Sequence, residues 1–265
     1  MNAEIGVFGG SGFYDFLTDA NETMIDTPYG PPSAPIVVGT IAGRSVAFLP
    51  RHGRAHQHPP HKINYRANLW AFNELGVTQV IAPTAAGSLQ QHVERGTIVI
   101  PDQLVDRTSG RAQTFFDGPE TVHVPFADPY CPAMRSTAIR CARATDVAIH
   151  ETGTVVVVEG PRFSTRAESR WFSSMGWEVI NMTQHPEAVL ARELAMCYLN
   201  LSLITDYDVG VDGAAPVTVP EVIEVFNRNN ATVKELLGAL IPALPVARDT
   251  CPCPNALDGA RVGGH

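Results

Sequence analysis

Thr154-Val155-Val156-Val157-Val158 is a run with no polar face to give to water, so it belongs in the middle of a sheet covered on both sides. Ile5–Phe8 is a second short apolar run, and it ends in Gly9-Gly10-Ser11-Gly12, as a buried strand feeding a glycine turn does. Ile36–Ile41 and residues 45–49, separated by Ala42-Gly43-Arg44, have hairpin spacing. Further strands are expected at residues 78–82, 97–100, 178–180 and 199–205. Helices are expected at residues 62–75 and 166–175, each stopped by a glycine, and at 186–197, where Leu190, Leu194 and Cys197 recur at i, i+4 and i+7. Thr218-Val219-Pro220-Glu221 has the form of a capping box and opens a long amphipathic helix carrying Val222, Phe226, Val233, Leu236 and Leu240. Alternation this regular predicts an α/β fold, a single domain with a mixed, largely parallel central sheet flanked by helices. The domain is expected to span residues 1–245, followed by a Pro/Gly-rich tail at 246–265.

Composition narrows the function classes. Of the 265 residues, 19 are Lys or Arg and 27 are Asp or Glu, a net charge of −8 that argues against a nucleic-acid-binding surface. No apolar run approaches the ~18 to 20 residues of a membrane span, and the N-terminus lacks the basic and apolar regions of a signal peptide, so a cytoplasmic protein with no membrane partner is expected. The five cysteines are an odd number in a chain too large to need disulfide staples. Cys251-Pro252-Cys253 is the one pair close in sequence, and with no second pair at ligand spacing beside it a metal site is not expected there. His52, His56, His58 and His61 form no zinc pattern either, because Pro59 and Pro60 break any helix and no carboxylate lies nearby.

In folds of this class the ligand sits beyond the carboxyl ends of the strands. Four such places are polar: Gly9-Gly10-Ser11-Gly12, Arg51-His52-Gly53, Thr84-Ala85-Ala86-Gly87-Ser88 and Asn181-Met182-Thr183. Together they offer the hydroxyls of Ser11, Thr84 and Thr183, the fixed cation of Arg51, the titratable ring of His52 and backbone N–H groups, a set suited to an oxyanion such as phosphate. The glycines are neither the dinucleotide fingerprint nor a P-loop, since Asp15 stands where the third glycine would fall and no Gly-Lys-Ser/Thr follows. Asp206-Tyr207-Asp208 closes an apolar strand. It is either a surface turn or a pair of carboxyls turned to a ligand, one of them kept protonated by burial and able to protonate a heteroaromatic nitrogen.

With these residues assembled, residues 4 to 245 resemble the methylthioadenosine phosphorylase and purine nucleoside phosphorylase family, in its trimeric branch. The resemblance is carried by Gly9-Gly10-Ser11-Gly12-Phe13-Tyr14, Pro50-Arg51-His52-Gly53-Arg54, Ile63-Asn64-Tyr65-Arg66-Ala67-Asn68, the stretch from Glu159 to Glu168, Asn181-Met182-Thr183 with Pro186-Glu187, and Thr205-Asp206-Tyr207-Asp208. It implies a phosphate held by Ser11, Arg51, His52, Thr84, the Ala85 N–H and Thr183, with Met182 against the ribose and Phe163 against the purine face. Asp206, Tyr207 and Asp208 would lie on the purine edge, with Asp206 the catalytic acid and Asp208 its supporting partner. Ser164 and Val219 would tune substrate choice, Val222 would line the pocket for the 5′ substituent, and His123 would be lent by a neighbouring subunit of a homotrimer or homohexamer. Two aspartates suit the N–H donor and N7 acceptor of a 6-aminopurine, whereas a 6-oxopurine would favour an amide donor. The expected reaction is reversible phosphorolysis of methylthioadenosine, with inorganic phosphate as co-substrate and no cofactor or metal. The rivals are a 6-oxopurine nucleoside phosphorylase acting on inosine, guanosine or methylthioinosine, and a non-catalytic nucleotide-binding protein.

Overall fold

The apolar runs become the strands of one large sheet. A computed structural model of the chain describes residues 1–9, 17–145, 147–209, 211 and 217–262, apart from the side chains of 221–223 and 226–228. The strands, in chain order, are β1 (Ile5–Phe8), β2 (Thr18–Thr23), β3 (Ile36–Ile41), β4 (Arg44–Leu49), β5 (Gln79–Ser88), β6 (Ile98–Val99), β7 (Gln103–Arg107), β8 (Thr121–Val122), β9 (Ile149–His150), β10 (Thr154–Val158), β11 (Val179–Asn181), β12 (Cys197–Tyr207) and β13 (Arg261–Val262). The helices are α1 (Tyr65–Glu74), α2 (Pro132–Ala144), α3 (Arg166–Ser174), α4 (Gln184–Glu193) and α5 (Val219–Ala243).

The main sheet runs β2-β3-β4-β1-β5-β11-β10-β7, with β12 also paired along β5 and with β6 and β9 beyond it. It is mixed and largely parallel: β1 runs with β4 and β5, β12 with β5, and β10 with β7 and β11, while β3 with β4 and β11 with β5 are antiparallel. Helices cover both faces. Leu199, Leu201 and Leu203 of β12 pack under Met134 and Ala138 of α2 and Leu236, Leu240 and Ile241 of α5. Tyr198 and β5's Val80 and Ala82 turn the other way, to Leu69 and Phe72 of α1 and Leu190 of α4. The period-2 alternation of β12 thus assigns each residue to one helical layer.

Two local departures from the sequence reading have physical reasons. The helix expected at 62–75 starts later, because Pro60–Lys62 make a separate 3-10 turn, Ile63 is extended, and the Asn64 side chain accepts from the Ala67 N–H as the cap. The helix expected at 186–197 ends at Glu193: Leu194 caps it, Ala195 takes a positive φ of 53°, and Cys197 opens β12. The apolar period at 190, 194 and 197 therefore bridges two elements that face one core.

The segment after α5 folds back onto the sheet. Cys253, Ala256 and Ala260 are buried, and β13 pairs antiparallel with β8. This return brings Cys251 and Cys253 to Cys131, at the start of α2, and to Cys197. A strand end and a helix start distant in sequence thus stand beside the Cys251 and Cys253 pair, a proximity that local spacing does not show.

Candidate active site

The parallel strands β4, β5 and β12 end on one side of the sheet, and β11, running back along β5, returns Met182 and Thr183 to the same side. There a cavity of about 650 Å³ is lined by Arg51, His52, Thr84, Ala85, Phe163, Ser164, Met182, Thr183, Asp206, Asp208 and Val219. Eleven residues expected from sequence to carry the chemistry therefore share one cleft. Ser11 lies outside the described residues, as does the side chain of Val222.

At one end of the cavity the groups form an anion cradle. Arg51 is buried and bound by Glu187 through two hydrogen bonds, Nε to Oε2 at 2.6 Å and Nη2 to Oε1 at 2.9 Å, while Nη1 donates to the Pro83 carbonyl at 3.2 Å. A guanidinium has five N–H donors, so one remains on each terminal nitrogen for an oxyanion. Glu187 is fully buried, and its Oε1 also accepts from Tyr198 at 2.8 Å. The Phe8 ring lies 4.6 Å beneath the guanidinium carbon and fixes its plane.

His52 sends Nδ1 to the His58 carbonyl at 2.9 Å. A carbonyl only accepts, so Nδ1 carries the proton. Burial, with the Arg51 charge adding to it, lowers the ring to about 4, so the cradle offers a neutral imidazole at neutral pH. Thr84 Oγ1 accepts from Asn200 Nδ2 at 3.2 Å, and Asn200 in turn accepts from the Ser202 hydroxyl at 2.7 Å. Gln184 Nε2 donates to Ser202 at 3.2 Å. This buried network holds the Thr84 oxygen in place. Thr183 precedes α4 and makes no side-chain cap bond, which leaves its hydroxyl for an anion.

At the other end stand the two aspartates. The pairing of β12 with β5 slips between Ile204 and Asp206, so Asp206 lies opposite Gly87 rather than opposite Ser88. Without that bulge at Thr205, Asp206 would follow Ile204 into the core beside Val155 and Val157; with it, the carboxyl turns to the cavity. Gly87 has no side chain to obstruct this, and a Cβ there would stand 3.0 Å from Asp206 Oδ1. The Thr205 hydroxyl lies 2.7 Å from Asp206 Oδ2 and 3.2 Å from the Ala86 carbonyl, and so shares its one proton between them.

Asp208 is 3% exposed, and burial pushes its carboxyl above the ordinary range despite hydrogen bonds from Ser169, Val209 N–H and Ser164. Its Oδ2 is buried without a partner. Tyr207, expected with its neighbours on the ligand, is not brought there. Strand alternation turns it away, its ring beneath Arg95 and its hydroxyl 3.4 Å from the Gln91 carbonyl.

The chain matches the model of the phosphorylase superfamily over residues 4–242. It is 52% identical to the S-methyl-5'-thioadenosine phosphorylase of Thermofilum pendens over 98% of each chain. It is also 51% identical to the purine nucleoside phosphorylase of Streptomyces coelicolor, over 99% of this chain and 97% of the relative. The chain belongs to the phosphorylase superfamily, in its methylthioadenosine phosphorylase branch. Its backbone superposes on a methylthioadenosine phosphorylase from an antarctic soil metagenomic library with a TM-score of 0.93 at 38% identity, covering 98% of this chain and 93% of the other. The Schistosoma mansoni enzyme in complex with adenine gives 0.91 at 33% identity, covering 98% and 99%.

Three features of this phosphorylase escaped the sequence reading. Glu187 was visible only as part of a motif, although it holds Arg51. Asn200, Ser202 and Gln184 look like ordinary core-strand and helix polars, and nothing local marks them as supports of Thr84. Arg111 donates to the carbonyls of Met182 at 2.9 Å and His185 at 2.6 Å while pairing with Glu159, and so ties the β11 end to the 159–160 turn. His123 is exposed and absent from its own chain's cavity lining, and its N–H donates to the Ala260 carbonyl at 2.8 Å.

Proposed function

We propose that the protein catalyses reversible phosphorolysis of S-methyl-5'-thioadenosine, giving adenine and 5-methylthioribose 1-phosphate. The observation that carries this reading is the pairing, in one cavity, of an oxyanion cradle with a carboxyl held above its usual range whose Oδ2 has no partner. Phosphate occupies the cradle formed by Arg51, His52, Thr84, the Ala85 N–H and Thr183. Glu187 already balances the Arg51 charge, so the cradle binds mainly by oriented dipoles. The phosphate therefore keeps its own negative charge to stabilise the oxocarbenium character of the ribosyl carbon as the glycosidic bond lengthens, and then captures that carbon.

Negative charge developing on the purine is relieved at N7. The sequence reading placed that proton on Asp206; the burial of Asp208 supports a proton held there and an Asp206 that accepts from the 6-amino group. Phe163 and Ile180 offer apolar walls for the ring, and Met182 for the ribose. His56, Pro59 and Val219 bound the same cavity and suit a methylthio group better than a hydroxyl, a preference worth about 1 to 3 kcal/mol per contact. Closure of the site by His123 of a neighbouring subunit, in a homotrimer, completes the reading.

Side-by-side assay of methylthioadenosine, adenosine, inosine and methylthioinosine, with and without phosphate, tests it. Phosphate-dependent adenine release, fastest from methylthioadenosine, is the expected result. Hypoxanthine release without adenine would assign the 6-oxopurine reaction instead, and binding without turnover would reduce the protein to a nucleoside-binding one.

A further inference from the structure

Four cysteines that phosphorolysis does not use converge where three distant parts of the chain meet. Cys131 is the cap residue of α2, Cys197 opens β12, and Cys251 and Cys253 lie on the segment that returns after α5. Their Sγ atoms all lie within 4.8 Å of one another, and those of Cys197 and Cys251 are 3.5 Å apart. All four are free thiols; Cys131, Cys197 and Cys253 are buried and Cys251 half-buried. None of them lines the substrate cavity.

We propose that Cys131, Cys197, Cys251 and Cys253 bind a structural zinc ion as a tetrathiolate. A tetrahedral zinc with Zn–S near 2.3 Å sets its sulfurs roughly 3.8 Å apart, so the four thiols stand close to the required corners without rearrangement of the backbone. Four protein sulfurs fill the coordination shell, which makes the site structural rather than catalytic. Binding transfers four thiol protons to solvent and forms four Zn–S bonds with no change of oxidation state, leaving a complex of net charge −2. The fold meets that charge at Cys131. The Met134 N–H donates to its sulfur, and the positive end of the 13-residue α2 points at it. The ion fastens the returning segment, whose β13 pairs with β8 and whose Ala260 carbonyl holds the His123 N–H.

The test uses the full-length chain, purified without a metal-affinity tag, chelator or added reductant. Elemental analysis is expected to give about one zinc per chain, as one closed four-sulfur site holds. Mercurial titration of the folded protein should release that zinc in step with the cluster thiols, and the cobalt-substituted protein should show the d–d bands of a tetrahedral thiolate site. Cys251→Ser/Cys253→Ser should lose the metal and melt at lower temperature, whereas Cys141→Ser, outside the cluster, should keep both. If the double variant does not fold, the titration and the cobalt spectrum of the unaltered chain decide. Zinc-free protein overturns the proposal, whether its cysteines prove to be disulfide-bonded or free, and so does a protein that carries iron in place of zinc.

Discussion

Arg51 is the residue on which the anion cradle turns, and Glu187 is the reason it can be buried. Removing one partner of a buried ion pair costs about 3–5 kcal/mol, because the other charge is left uncompensated. Glu187→Gln should therefore lower the melting temperature, and phosphate, which then becomes the only counter-charge, should raise it by more than in the unaltered protein. Equal phosphate increments in the two proteins would mean that Arg51 does not face the anion.

His52 makes a separate prediction. Its ring titrates near 4 in the fold against 6.5 in the unfolded chain, so between those values the unfolded chain binds more protons. Stability should be fully present above about 6.5 and decline as the pH falls towards 4; thermal melts of His52→Gln over that window should show a flatter slope. Asp208 has the opposite shift, and as an acid it must be protonated to act. Turnover of methylthioadenosine should fall as the pH rises through its raised pKa, and Asp208→Asn should remove that limb and cost about 10²- to 10⁴-fold in kcat. A variant with the full rate and an unchanged pH profile would move the proton back to Asp206.

At the scale of elements, the bulge in β12 decides whether there is a site at all. It requires free space over Gly87, where an added Cβ would meet Asp206 Oδ1 and Ile180 Cγ2, each at 3.0 Å. Gly87→Ala should shift the Asp206 carboxyl by a few tenths of an ångström and lower kcat/KM for the adenine nucleoside by roughly tenfold or more, with little change in melting temperature. An alanine variant with the full rate would mean that the position of Asp206 is not set there.

The bulge also marks how far the sequence could be read. Continuous apolar and β-branched runs made β1, β3, β4, β10 and β12 legible, and the rule that ligands sit at strand ends collected Arg51, His52, Thr84 and Thr183. One inserted residue in a ladder leaves no trace in hydrophobic pattern, so the direction of Tyr207 and the turn of the Asp206 carboxyl to the cavity were not legible. Short strands such as β8, β9 and β13 are two residues long and are defined only by their partners. Arg111 and Glu187 act across long sequence separations, 71 residues from Met182 and 136 from Arg51, and local spacing carries no record of such pairings.

At the scale of the whole molecule, the placement of His123 separates a site that is complete within one chain from one that is completed by a neighbour. The side chain is exposed just after β8, its backbone N–H held by the Ala260 carbonyl of the returning C-terminal segment, and it lines no part of its own cavity. If a neighbouring copy receives it, His123→Ala and Asp208→Asn damage different halves of one composite site. Mixed before assembly, a chain with intact Asp208 can sit beside a chain with intact His123. In a cyclic trimer formed at random from equal amounts, about one site in four regains both groups, since each is present with a probability of about one half. Co-refolded or co-expressed variants should then turn over methylthioadenosine at up to roughly a quarter of the unaltered rate, although each variant alone is slow. A site complete within one chain could not be rescued in this way: the mixture would show only the average of the two separate rates. Sedimentation of the mixture as a single trimeric species would exclude failed assembly as the reason for a missing rescue.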